Sequence, residues 1–268
     1  MTLWLNGVLT EESLARIDPA DRGFTLGDGL FETIRRQGGR ILHLDRHLAR
    51  LRQGAAFLGI PLTWQDGALA AGAAALIEAD RLGDAVLRLT LTRGPGPRGI
   101  LPPAEPRPTL LITAAKLPAP MPPARAIIAT VTRRNEASPL SRFKTLNYLD
   151  NIIARGEALR RGADDAILLN TQGRVAEASV ANVFALHGGR LLTPPVEDGA
   201  LPGIMRGLLI ERCGAVEAPL VPADLAAADA VFLSSSLGLR PVLTIDGYAI
   251  GGERGLAAVA GLAALAAG

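Results

Sequence analysis

Apolar and polar residues alternate along 85–93, with Leu87, Leu89 and Leu91 on one side and Arg88, Thr90 and Thr92 on the other. A period of two is the signature of a strand with one buried face. The same reading predicts strands at Leu3-Trp4-Leu5, at Leu110–Thr113, at Ala126–Val131 and at Ala230–Leu233. Asn6-Gly7 and Gly38-Gly39 mark tight turns in the first half. Thr171-Gln172-Gly173 and His187-Gly188-Gly189 do so in the second. Elsewhere the period lengthens to that of a helix. Leu44, His47, Leu48 and Leu51 share a face, with Asp45 and the arginines opposite, and an alanine-rich helix spans Asp66 to Arg81. Leu149, Ile152, Ile153 and Leu159 mark another helix closing at Gly162, and a fourth runs from about Ile204 to Arg212, ended by Gly214. Strands joined by tight turns predict an α/β protein of the α+β kind with mainly antiparallel sheets, not a doubly wound parallel one.

Leu117 to Ala124 holds four prolines in eight positions, which suits neither a helix interior nor a central strand. It predicts a short linker at 117–124 between a domain over 1–116 and a larger one over 125–268. The 268 residues are 49% hydrophobic with a net charge of +2, enough for packed cores and too neutral for a nucleic-acid footprint. A single cysteine, Cys213, excludes an internal disulfide framework, and His43, His47 and His187 lack metal-ligand spacing. His47, on its helix's apolar stripe, reads as a core or interface residue. The N-terminus has no basic stretch leading into an apolar run, so no secretory signal is expected. The longest apolar tract, Leu256 to Gly268, is too short to span a bilayer. A cytoplasmic location is the expectation.

Composition also points at chemistry. Of the 28 basic residues only Lys116 and Lys144 are lysines. An amine can lose its proton and attack a carbonyl, whereas a guanidinium stays charged. Lys116 borders the proline-rich stretch and reads as solvated; Lys144 lies among apolar and hydrogen-bonding residues. Gly94-Pro95-Gly96-Pro97-Arg98-Gly99 has dinucleotide-loop spacing, but prolines replace the helix that such a loop requires, leaving a rigid loop that offers Arg98 to solvent or to a substrate carboxylate. Leu201-Pro202-Gly203 is either a plain entry turn or an anion site, since the first amides of the following helix are unpaired. Ser234-Ser235-Ser236 is open to the same two readings. Glu177, embedded in small apolar neighbours, needs a cation: an arginine of the chain or a ligand nitrogen.

In order along the chain, these stretches resemble the class IV aminotransferase family, the fold type IV pyridoxal 5′-phosphate (PLP) enzymes. The resemblance runs through Asp21–Phe24, Gly27–Glu32, His47–Leu51, Lys144–Leu149, Glu177–Phe184, Leu201–Arg206, and Ser235-Ser236 ahead of Arg240-Pro241-Val242. It implies two domains with PLP between them, a homodimer, no metal, and amine or 2-oxo acid substrates. By resemblance, Lys144 forms the imine with PLP and shuttles a proton, and Glu177 pairs with the pyridine nitrogen. Arg50, the backbone at Ile204 and Met205, and Ser236 hold the phosphate. Tyr148 reaches the phenolic oxygen. Ser179, Asn182 and Ser235 complete the cofactor set, and Phe31, Thr33 and Arg98 face the substrate. Met205 stands where the family often has Thr. Arg93–Ile100 looks like the corresponding loop of 4-amino-4-deoxychorismate lyases. D-Amino-acid transaminases are nearly as similar but typically carry histidine where this chain has Ile100. Branched-chain transaminases fit less well, because Thr145-Leu146-Asn147 replaces their Gly-Gly-Asn. The lyase is the first expectation and D-amino-acid transamination the alternative.

Overall fold

A computed structural model describes residues 1–267. They form two compact units: residues 1–119 with 143–147, and 120–142 with 148 onward. The second stretch of the first unit carries Lys144, which the linker-based division places in the C-terminal part.

The first unit opens with β1 (Thr2–Leu5) and β2 (Val8–Glu11). Asn6 and Gly7, both at positive φ, make the two-residue turn between them. Then come α1 (Arg22–Leu26), β3 (Gly29–Gln37), β4 (Arg40–Ile41), α2 (Leu44–Leu58), α3 (Asp66–Ala79), β5 (Ala85–Thr92) and β6 (Thr109–Lys116). The strands form one antiparallel sheet in the order β2-β1-β6-β5-β3-β4. Alternation decides what faces inward. Leu30 and Ile34 of β3 pair with Leu91 and Leu87 of β5, and Leu48, Leu51, Leu69 and Leu76 of the helices pack on this face. Glu32 lies between Leu30 and Ile34 and is buried with them. Arg50, assigned by periodicity to the polar face of α2, is buried as well. A partner on the sheet explains this, as described below.

The second unit contains β7 (Ala124–Ile128), a 3-10 turn at Pro139–Arg142, α4 (Leu149–Arg160), β8 (Asp165–Leu169), β9 (Val175–Ala178), β10 (Asn182–His187) and β11 (Arg190–Thr193). A second 3-10 turn at Val196–Asp198 precedes α5 (Ile204–Cys213), β12 (Val216–Glu217), α6 (Pro222–Ala226), β13 (Ala230–Ser235), β14 (Gly238–Ile245), β15 (Tyr248–Ala249) and α7 (Glu253–Ala267). Its sheet runs β12-β11-β10-β13-β14-β7-β8-β9, with β15 on β14. Five of the pairings are antiparallel, while β11·β12, β14·β7 and β7·β8 are parallel. The sheet is therefore mixed.

Two local expectations need correction. The strand expected over 126–131 lies at 124–128, because the carboxylate of Glu157 takes the amides of Thr130 and Val131 at 2.9 and 3.2 Å and the Thr130 hydroxyl at 2.7 Å. The apolar stripe of α4 does not enter the core. Leu149, Ile152, Ile153 and Leu159 are 73, 62, 47 and 77% exposed, whereas Asn151, Ala154, Glu157 and Ala158 face inward. The apolar tract from Leu256 belongs to α7, whose Val259 packs with Leu209 of α5 and Phe232 of β13.

Candidate active site

In the first unit, Lys144 is placed by main-chain pairing. Phe31 N donates to Lys144 O at 2.9 Å and Leu146 N to Gly29 O at 3.0 Å, so residues 144–146 lie antiparallel to the start of β3. Alternation turns Phe31 and Thr33 to the face opposite Leu30, Glu32 and Ile34. The Lys144 Nζ sits 4.4 Å from the centroid of the Phe31 ring, and Arg88 Cζ lies 3.9 Å from the same centroid. Phe31 and Lys144 are thus brought together. Lys116, the other lysine, is exposed at the end of β6.

Arg50 belongs to a buried charge cluster that sequence reasoning missed. Its Nε and Nη2 donate to the two oxygens of Glu32 at 2.8 and 2.6 Å, and His47 Nδ1 lies 2.7 Å from Glu32 Oε2. The available signal was an acid alternating with Leu30 and Ile34 on a core face. Burial by itself raises the Glu32 carboxyl, but the hydrogen bonds and charges of His47 and Arg50 prevail and hold it below the usual glutamate value. Arg98 is exposed on the β5–β6 connection, where no helix begins.

In the second unit, Glu177 is 6% exposed and has a specific partner, Arg134, whose Nε lies 3.2 Å from Glu177 Oε1. Arg134 also donates to Gly199 O and Ser141 O. The arginine alternative for Glu177 is therefore realised, and it keeps a buried carboxylate compensated. The other oxygen, Oε2, accepts from Leu201 N at 2.9 Å. Asn182 Nδ2 donates to Leu201 O at 2.8 Å. Two candidates thus grip one residue of the loop that enters α5. A Cβ on Gly203 would come 2.1 Å from Asn182 Oδ1, so this close approach requires glycine. Gly203 is the N-cap of α5 and offers no side chain to the helix's first amides. Those amides, with the positive end of the helix dipole, suit an anion.

The remaining candidates divide. Ser235 Oγ accepts from Leu237 N at 3.2 Å and Ser236 is half-buried in the turn between β13 and β14. The neighbouring Ser234 Oγ is buried without a partner. Met205 packs its side chain into the core beside α7, so only its backbone is available to a ligand. Tyr148 is the half-buried N-cap of α4. Ser179 stands apart. Its hydroxyl donates to Asp165 at 2.5 Å and receives Arg155 at 3.3 Å, which commits it to bracing the β9–β10 turn.

The family model described as "Amino-transferase class IV" matches residues 29–245. The chain belongs to the class IV aminotransferase family. It is 35% identical to a Methanocaldococcus jannaschii protein provisionally named a branched-chain-amino-acid aminotransferase, over 95% of this chain and 91% of that one. It is 31% identical to a D-alanine aminotransferase of Bacillus licheniformis, over 94 and 90% of the two chains. A Legionella pneumophila structure, provisionally named a 4-amino-4-deoxychorismate lyase, superposes with a TM-score of 0.83 at 35% identity, covering 89% of this chain and 90% of that one. Enzymes of this family use PLP, and PLP-bound structures are among those similar to this chain. Each unit by itself holds groups of the kind that cofactor uses: an amine at Lys144 in the first, and in the second a buried carboxylate at Glu177 and a helix N-terminus whose entry leaves no room for a side chain at Gly203. No helix of the described residues is long and apolar enough to cross a membrane.

Proposed function

We propose that this class IV enzyme converts 4-amino-4-deoxychorismate to 4-aminobenzoate and pyruvate, with Lys144 carrying PLP. When bound, PLP supplies an aldehyde that captures a primary amine and a ring that accepts electrons from the adjacent carbon. The Lys144 amine would take the proton from the ring carbon bearing the captured amine; the ring C–O bond breaks as the ring aromatises, and the enolpyruvate released takes up a proton to become pyruvate. Glu177, which pairs with Arg134, would face the pyridine nitrogen. By the family resemblance, the amides of Ile204 and Met205, the hydroxyls of Ser235 and Ser236, and Arg50 would take the phosphate, and Tyr148 would bond the phenolic oxygen. Asn182 holds the phosphate loop from below, and Ser179 supports the strand turn between Glu177 and Asn182. Phe31, Thr33 and Arg98 meet the substrate.

The observation that carries the lyase reading is the β5–β6 loop. Its first arginine, Arg93, is buried on Asp28, whereas Arg98, assigned by resemblance to a substrate carboxylate, is exposed, with Ile100 where a second, histidine contact would stand in a D-amino-acid transaminase. Transamination is the second reading, favoured by the identities with the two aminotransferases. Purified holoenzyme mixed with 4-amino-4-deoxychorismate should release 4-aminobenzoate. None there, with pyruvate and glutamate formed from D-alanine and 2-oxoglutarate, would reject the lyase. Borohydride reduction and peptide mapping test the attachment, which should fall on Lys144 and not Lys116.

We further infer a homodimer, for which the outward apolar stripe of α4 supplies a contact face.

A further inference from the structure

The β5–β6 connection spans residues 93–108, contains six prolines and has no regular secondary structure. Connections of this length are unusual unless they carry function. Most of its residues are exposed, yet it is fastened at two places within the first unit. The nearer fastening is its root. Arg93 donates to both oxygens of Asp28 at 2.7 and 3.1 Å and to the carbonyls of Leu58 and Gly59, while Arg22 N bonds Gly94 O and Gly96 N bonds Ala20 O.

The second fastening is a single side chain. Arg22 is 4% exposed, and its guanidinium collects three successive loop carbonyls: Gly99 O at 3.1 Å, Ile100 O at 2.8 Å and Leu101 O at 3.2 Å. Its Nε is held at 2.8 Å by Asp28, the carboxylate that also anchors Arg93. Three consecutive carbonyls can converge on one cation only if the backbone curls, and Gly99 supplies the curl at φ +110°. With those carbonyls turned inward, the side chains of Ile100 and Leu101 project outward, 83 and 79% exposed. Pro97 and Arg98 lie between the two fastenings. Asp28 stays ionised: burial raises its carboxyl, but hydrogen bonds from Arg93 and Arg22 more than offset this.

We propose that Arg22 is a positioning residue for substrate selection, holding residues 97–101 in the one shape that presents Arg98 and Ile100. The loop is then a preformed reader of the substrate carboxylate, and its ordering cost is met on folding instead of on binding. The proposal rests on the reading of Arg98 as a substrate contact.

The test uses holoenzyme, the amine substrate that it turns over, and the variants Arg22→Lys, Gly99→Ala and Arg98→Gln. Lysine keeps the charge but loses the fork that gathers three carbonyls. Alanine strains the curl at a position where an added Cβ meets nothing within 4 Å, so this variant folds. Both should raise KM about tenfold with little change in kcat, the signature of lost binding pre-organisation. Hydrogen exchange of amides 98–102 should quicken while the cofactor absorbance is unchanged. Added to Arg98→Gln, either change should have no further effect on KM. If Arg98→Gln raises KM but Arg22→Lys and Gly99→Ala do not, or if their effects add to it, the positioning role is overturned and the functional reading stands. If Arg98→Gln itself leaves KM unchanged, the substrate role of Arg98 fails and the proposal falls with it.

Discussion

Glu32→Gln is the perturbation whose consequences the structure defines most closely. The carboxylate is 1% exposed, flanked on its strand by Leu30 and Ile34, and it receives Arg50 twice and His47 once, all within 2.8 Å. Glutamine preserves the volume but removes the charge, so the Arg50 guanidinium, 9% exposed, loses the carboxylate that it meets twice. Breaking a buried pair by removing one partner costs about 3–5 kcal/mol, a large part of a total stability of about 5–15 kcal/mol. At about 2–4 °C per kcal/mol for a chain of this size, the melting temperature should fall by about 6–20 °C, measured by calorimetry. A double variant, Glu32→Gln with Arg50→Met, removes both charges and should recover most of that loss, since exchanging both partners is far cheaper than exchanging one.

The same pair predicts a pH dependence. The folded Glu32 carboxyl titrates below its usual 4.5. Its stabilising contribution is therefore complete above that value and is lost as the pH falls through the folded-state value. The stability gap between the native chain and Glu32→Gln should be full at neutral pH and should close below about pH 4.5. A gap under about 1 kcal/mol at neutral pH, or one unchanged at pH 3, would refute the argument that Glu32 acts as a charged partner.

Three further outcomes follow from other parts of the molecule. Gly203→Ala places a methyl against Asn182 Oδ1, so the α5 entry must shift, and PLP affinity measured by spectroscopic titration should drop at least about tenfold; unaltered affinity would remove the entry loop from the site. Phe232→Ala empties half of a stacked pair, Phe184 and Phe232, with ring centroids 5.0 Å apart and both rings fully buried, and should cost about 3–5 kcal/mol in denaturant titration. Ile152→Glu charges the exposed stripe of α4 and should convert a dimer to monomers in light scattering; a dimer of undiminished mass would place the subunit contact elsewhere.

What the sequence discloses here depends on whether a residue's role is local. The Asn6-Gly7 turn, the α5 entry at Gly203 and the end of that helix at Gly214 are all decided by a few neighbouring residues, and each stands where the pattern puts it. The strand at 126–131 fails as a prediction because its end is set by Glu157, some 27 positions away. The stripe on α4 shows a different limit. Periodicity reports that one face is apolar, not what that face meets, and here it meets no other part of its own unit's core.

The arginines make the same point more sharply. Lys144 was conspicuous because lysine is so scarce, and a scarce residue can be weighed from composition alone. Arginine is everywhere, so its buried members cannot be told from solvated ones until their carboxylates are known. Arg22 and Arg93 share Asp28, Arg50 takes Glu32, and Arg134 takes Glu177. Each pairing joins residues from separate elements or loops, and each gives an acid of the interior a permanent cation. In the proposed assignment, one acid supports the substrate loop, one supports the phosphate-binding arginine, and one faces the ring nitrogen. Guanidinium suits all three tasks, being permanently charged and able to bond in a fork, whereas the same assignment gives the single task that needs a removable proton to Lys144, the lysine beside Phe31.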